Sequence, residues 1–374
     1  MTTASADSVR SNTTDNNDSN SSTSDSSTPI VNRQRLLWLL LLSGLGAGVV
    51  IALCWGPVAI SPSQVFDSLW SLLHGDAIAG SNDWVVRELR LPRVLLALLV
   101  GAGLAVAGVV TQGVFRNPLA DPGLIGVASG AALAAVAVIV LSDSILFFWA
   151  DLTGPLALPL AAFGGGLLVT WVMYRLGTWR GETQVAMLLL AGVAINVLTG
   201  AATGVLTYLA DDQQLRSMTF WSMGSLAYGR WPEVMAMSLF ILLPVLLCLR
   251  YGRALNAMLL GEQVAGHLGL DVQRCKRWLL AAAALMVGAG VAVAGIIGFI
   301  GLVVPHLLRL IIGPDHRLLL PMSALAGGLL LLVADTLARN VIAPQDLPVG
   351  LLMALIGGPL FLSMLLHQVR GRMG

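Results

Sequence analysis

Charge is what this sequence has least of. Only 11% of its 374 residues are Asp, Glu, Lys or Arg, against about 25% in an ordinary soluble domain. Lysine is nearly missing: Lys276 is the one lysine among 21 basic residues, the others being arginine. A chain that is 56% hydrophobic, with a mean hydropathy of +0.82, cannot keep its surface wet, so its solvent is the lipid bilayer. A net charge of +1 without a dense basic patch excludes nucleic acid as a partner, because binding would release few counterions.

Cysteine is scarce as well. Cys54, Cys248 and Cys275 stand far apart with no CxxC pattern, and read as small core or lipid-facing positions. The five histidines are scattered without metal-ligand spacing, so neither a metal nor a cofactor is expected. No GxxxxGK[ST] loop, HExxH, Ser-His-acid signature or intramembrane carboxylate pair occurs. The chain is therefore expected to be no enzyme; if ATP powers it, the ATPase is another polypeptide.

What is present is long apolar helix. Residues 1–29 are almost wholly Ser, Thr, Asn and Asp, and predict a disordered polar tail over 1–32 that is not a secretory signal. From 33 to 374 the chain reads as one membrane domain. Arg33 and Arg35 precede the first apolar run, which holds its start in the cytoplasm. Further runs follow at about 94–115, 123–141, 156–174, 185–209, 234–249, 278–304, 318–334 and 347–366. These nine would put the ends on opposite sides, yet Arg370 and Arg372 also call for the cytoplasm.

The conflict resolves if the run after Trp278 holds two helices. The GFIG stretch makes the bend, and LVVPHLLRLII forms a short tenth helix whose Pro305, His306 and Arg309 mask it. The predicted fold is all-α and polytopic, with ten transmembrane helices and both termini cytoplasmic. Fourteen of the 21 basic residues then lie inside. Arg87, Arg90, Arg93, Arg216, Arg230 and Arg339 lie outside, and these six exceptions need a reason of their own.

Glycine is plentiful within the spans, where small residues let helix backbones approach closely. One phrase is written twice: VGAGLAVAG at Val100–Gly108 and VGAGVAVAG at Val287–Gly295, half the chain apart and differing in a single letter. The copies head two similar blocks, about 90–209 and 277–366. Such internal symmetry is typical of transporters, whose substrate path forms between repeats.

The longest polar interruption, 250–277, is placed in the cytoplasm. Its apolar residues Leu255, Met258, Leu259, Val264, Ala265 and Leu268 recur at helical spacing, and GEQVAGHLG breaks it into two short helices. On physical grounds it either lies on the membrane surface or offers an apolar face to a partner's groove.

Four long segments carry a family resemblance: RLPRVLLALLVGAGLAVAGVVTQGVFRNPLADPGLIGVASGAAL (90–133), LLGEQVAGHLG (259–269), GFIGLVVPHLLRLIIGPDHRLLLP (298–321) and LLLVADTLARNVIAPQDLPVGLLMALIGGPLF (330–361). In this order they resemble the FecCD family, the permeases of ABC importers for iron–siderophore, haem and vitamin B12. The wording of 120–135 and 345–361 is nearest to haem permeases.

The resemblance implies a homodimer in the bacterial inner membrane, with the path along the dimer axis. It also implies a cytoplasmic ABC ATPase dimer below and a periplasmic substrate-binding protein above. On this basis Leu259, Gly261, Glu262, Ala265, Leu268 and Gly269 are expected to couple to the ATPase. Arg90, Arg93 and Arg339 are expected to receive acidic residues of the binding protein, as guanidinium forks suit carboxylates. The alternative for these arginines is an intrachain pair, with Asp335 and Arg339 well spaced for one.

Arg216, Trp221 and Met223 are expected along the substrate path, where a cation would meet an anionic group of haem or another iron chelate. The alternative for Arg216 is a pair with Asp211 or Asp212. A siderophore or vitamin B12 permease is the rival within the family. Beyond it, the rival is an ion-coupled secondary transporter, which would need a titratable group in a span. Asp335 is the one acid placed there.

Overall fold

The computed structural model describes residues 28–142, 144–180 and 182–373. The predicted tail up to residue 27 lies outside the described residues, as do the side chains of Arg370 and Arg372. Lipid offers no hydrogen bonds to the main chain, so an apolar chain of this kind satisfies its amides internally as helix. The helices are α1 (Thr28–Cys54), α2 (Pro62–His74), α3 (Ser81–Trp84), α4 (Leu91–Phe115), α5 (Val127–Leu141), α6 (Phe147–Thr153), α7 (Ala157–Leu176) and α8 (Val185–Leu209). They continue with α9 (Asp212–Ser222), α10 (Trp231–Arg250), α11 (Gly252–Leu259), α12 (Glu262–His267), α13 (Val272–Ala294), α14 (Ile300–Ile312), α15 (His316–Val341) and α16 (Val349–Met373). A two-residue hairpin, β1 (Thr178–Trp179) with β2 (Glu182–Thr183), joins α7 to α8.

The fold is all-α and polytopic. Among the described residues, eight helices are long and apolar enough to cross a membrane, and α5 and α14 are two shorter apolar helices. The run after Trp278 does divide: α13 stops at Ala294 and α14 starts at Ile300. The bend begins earlier than GFIG, at Gly295, and uses positive φ at Gly295 and Phe299. Pro305 sits inside α14 without ending it.

The connections gather at two ends. At one end Arg90 reaches the last turn of α1, Trp231 Nε1 donates to Arg87 O, and Arg93 meets Asp346. At the other, Arg116, Glu262, Lys276 and Thr183 come together, and Asn256 holds Asp315.

α4 forms the centre because it is apolar all round and most of its residues are buried. It packs along α15, α13, α14 and α10. Lipid supplies no hydrophobic drive between helices, so contact depends on close approach. Gly101 and Gly327 bring α4 and α15 backbone to backbone: a Cβ on either would run into the other's carbonyl. The repeated phrase lies on the two central helices, and there it meets itself. A Cβ on Gly290 of the second copy would touch Val100 of the first at 3.3 Å.

Gly101→Val is predicted to be badly destabilising, by about 1–3 kcal/mol or more, because overpacking displaces backbone rather than a side chain. Gly46→Ala on α1 has open space for its methyl and serves as the neutral control. Thermal melting of the detergent-purified proteins checks this; equal melting temperatures for Gly101→Val and wild type would refute the packing account.

Candidate functional site

Four of the six unexpected arginines hold the Arg90 end together. The last carbonyls of α1 have no helical partner. Arg90 Nη1 donates to Leu53 O at 2.5 Å and its Nη2 to Val58 O; Arg339 Nη2 donates to Ala52 O at 2.5 Å. Arg87 donates from both terminal nitrogens to Asp76 O at 3.1 Å and pairs with Asp83 at 3.4 Å. Arg93 grips Asp335 with Nε at 2.9 Å and Nη2 at 2.9 Å, and reaches Asp346 with Nη1 at 2.7 Å.

Arg90 and Arg339 are 5% and 4% exposed and point into the protein, so in this structure they do not offer forks to an outside partner. Asp335 takes Arg93 of another helix, not Arg339 one turn away. The bidentate geometry from α4 outweighs a same-helix pair of ordinary strength. Of the three docking candidates, Arg93 alone is part-exposed.

Arg216 behaves differently. It lies on α9, whose start is capped by Asp211 accepting from Gln214 N at 2.8 Å. Among the described residues Arg216 has no ion pair or hydrogen bond, so the alternative pair with Asp211 or Asp212 is not formed. It lines a cavity of about 790 Å³ between α5, α7, α9, α10 and the end of α13. That is within the size range of small-molecule sites. Phe220, Trp221 and Tyr228 supply aromatic wall, and Glu233 has a buried Oε2 without a hydrogen-bond partner.

Trp221 is thus brought together with Arg216, whereas Met223 is not. Met223 ends α9 beside the bend, where a Cβ on Gly350 would strike its carbonyl. Phe220 was missed although it stands on α9 one helical turn after Arg216, and Tyr228 and Glu233 because they come from the following loop and from α10.

At the opposite end the 250–277 segment does form two short helices, α11 and α12. Gly261 and Gly269 flank α12 with φ of 113° and 83°, which explains glycine at both turns. The apolar residues divide. Leu255, Met258 and Ala265 are wholly buried, while Leu259, Leu260, Val264 and Leu268 are exposed. Glu262, expected to contact a partner, faces the protein and takes Lys276 Nζ at 2.7 Å and Arg116 Nη2 at 3.9 Å.

Asn256 ties α11 to the start of α15 by donating to Asp315 Oδ1 at 2.7 Å and accepting from His316 N at 2.8 Å. Burial pushes the Asp315 carboxyl up, but hydrogen bonds from Asn256 and the Arg317 amide leave it below its usual value. Burial raises the Asp121 carboxyl in the adjacent 116–126 connection, despite the hydrogen bond from Gly123 N. Lys276 was visible as a lone lysine, but nothing in the sequence connected it with Glu262.

The arrangement offers a cavity with a free cation at one end and, at the other, a helix wired inward by Glu262 and bordered by exposed Leu260 and Leu268. No group of three potential metal-ligating side chains occurs among the described residues. The chain is 48% identical over 342 residues to the hemin transport system permease HmuU of Yersinia pestis, covering 91% of this chain and 96% of that one. It is 45% identical over 281 residues to the cobalamin import system permease BtuC of Halobacterium salinarum, covering 75% and 73%.

Among solved structures it is similar to an inward-facing metal-chelate type ABC transporter, with TM-score 0.76, 31% identity and coverage of 89% and 99%. The model of the FecCD transport family matches residues 41–367. Ordered apolar helices, paired ends and these likenesses agree: the chain belongs to the FecCD transport family of membrane permeases.

Proposed function

We propose that this chain is the permease of an ABC importer that brings haem, or a related iron chelate, from periplasm to cytoplasm. It would stand in a bacterial inner membrane as a homodimer, each copy crossing ten times with both termini inside. The Glu262 end then faces the cytoplasm and the Arg90 end the periplasm, as the bias of basic residues asks. Residues 33–374 form the permease domain, with similar blocks at about 90–209 and 277–366, and the 250–277 segment is its coupling loop.

The observation that carries the mechanism is α12. Exposed Val264 on it, with exposed Leu260 and Leu268 just before and after it, suits a groove on a cytoplasmic ATPase. Leu259 joins that face, while Gly261 and Gly269 set the turns and Ala265 and Glu262 anchor them from within. ATP binding and hydrolysis in the partner shift the populations of the permease's conformations.

Cargo follows from the other end. The free guanidinium of Arg216 beside Phe220, Trp221 and Tyr228 suits a flat aromatic macrocycle carrying carboxylates, which describes haem. The 48% identity to a hemin permease supports the same choice over a ferric siderophore or vitamin B12. A periplasmic binding protein would deliver it, with Arg93, Arg216 and the exposed Arg230 as the outer cations within reach. Proton coupling gains no support, because Asp335 is clamped by Arg93 and is 2% exposed.

Two outcomes test this. Leu268→Asp is predicted to abolish co-purification of the ATPase while membrane insertion stays normal; a stable complex would remove α12 from the interface. Arg216→Glu is predicted to weaken haemin uptake by about ten- to a hundred-fold, the worth of one charged hydrogen bond. Uptake is measured in proteoliposomes with ATPase, ATP and loaded binding protein. Uptake by the permease alone would overturn the ABC reading.

A further inference from the structure

α12 is a short element with few holds on the rest of the molecule. Its outward side carries Val264, with exposed Leu260 and Leu268 at its ends, beside Gln263 and His267, and the glycines on either side have nothing within 4 Å of where a Cβ would stand. Inward, two residues connect it: Ala265, wholly buried, and Glu262. A methyl in van der Waals contact transmits a push but not a pull. An ion pair resists both, because separation leaves a buried charge unpaired.

The partner of Glu262 is the only lysine of the chain, and it is 1% exposed. Lys276 stands in the second turn of α13, and its ammonium also donates to Thr183 O at 3.3 Å. One turn earlier, Gln273 Oε1 accepts from Thr183 N at 3.0 Å, so the hairpin before α8 is clamped to α13 from both sides of one residue. The second oxygen of Glu262 faces Arg116, the C-cap of α4. One carboxylate on α12 thereby meets the cytoplasmic ends of α4 and α13 and, through Lys276, the start of α8. A compact ammonium fits between carboxylate and carbonyl where a planar guanidinium would need more room.

We infer that the Glu262–Lys276 pair is the link through which movement of α12 reaches α13 and α8, with both side chains as positioning residues for transport. The inference rests on the proposal that an ATPase drives the chain through α12. Glu262 acts as the inner end of the coupling element, and Lys276 distributes its displacement to the hairpin and to α13.

The test uses the full chain with its ATPase in proteoliposomes, with haemin on the binding protein, and reads haemin imported per ATP hydrolysed. Glu262→Gln and Lys276→Met are expected to lower that ratio about tenfold, and the reversed pair Glu262→Lys/Lys276→Glu to restore at least half of it. Gly46→Ala on α1, with open space for its methyl, leaves it at the wild-type value. Hydrogen–deuterium exchange gives a second reading: ATP should alter exchange across 178–183 in the wild type and not in Glu262→Gln.

Single variants with the wild-type ratio, or a reversed pair no better than either single variant, overturn the link. So does an ATP response of the hairpin that persists in Glu262→Gln, which also covers a Lys276→Met protein that fails to fold. Haemin import by wild type without the ATPase overturns the functional reading instead.

Discussion

Close approach of α4 and α15 at Gly101 and Gly327 is the constraint on which the remaining packing depends. Within a bilayer, side chains gain nothing by leaving lipid for one another, so affinity between helices comes from dispersion at short range. Removing two side chains at one crossing lets main chain meet main chain. With α4 fixed against α15, α13 lies along another face of α4 and α14 along a third. The cavity and the Glu262 end are separated by the length of these central helices.

Charge is placed where that core stops. The three arginines expected to serve a partner, Arg90, Arg93 and Arg339, are turned onto carbonyls and carboxylates of their own chain. A guanidinium can satisfy several acceptors at once, which makes arginine suitable for sealing helix ends next to lipid. What remains available outside is a short set of cations, with Arg216 distinguished by its cavity and aromatic neighbours. At the Glu262 end one buried ammonium, Lys276, is met by a carboxylate, while Leu260, Val264 and Leu268 stand exposed close by.

Much of this was legible in the sequence. The all-α class followed from composition, and the hidden helix α14 followed from the sidedness of arginines, since hydropathy saw one run where there are two helices. The two-helix break of the 250–277 segment was marked by Gly261 and Gly269. Direction was harder to read. A six-residue helix presents too few side chains for periodicity to tell Glu262 and Ala265, which face in, from Val264 and Leu268, which face out. Asp335 shows a second limit: spacing favoured Arg339, but Arg93, far away in sequence, offered a better fork. The cavity was half legible, through Arg216 and Trp221, because Glu233 and Tyr228 approach it from separate elements.

The sealing of α1 has a bearing on biogenesis. Its final carbonyls are met by Arg90, which emerges soon afterwards, and by Arg339, which is synthesised only when most of the chain already exists. α1 otherwise stands largely exposed at the rim, resting chiefly on α15. The first helix to enter the bilayer thus waits for one of the last before it is fully bound, so the molecule closes late and a nascent chain stalled before α15 keeps a loose leading helix.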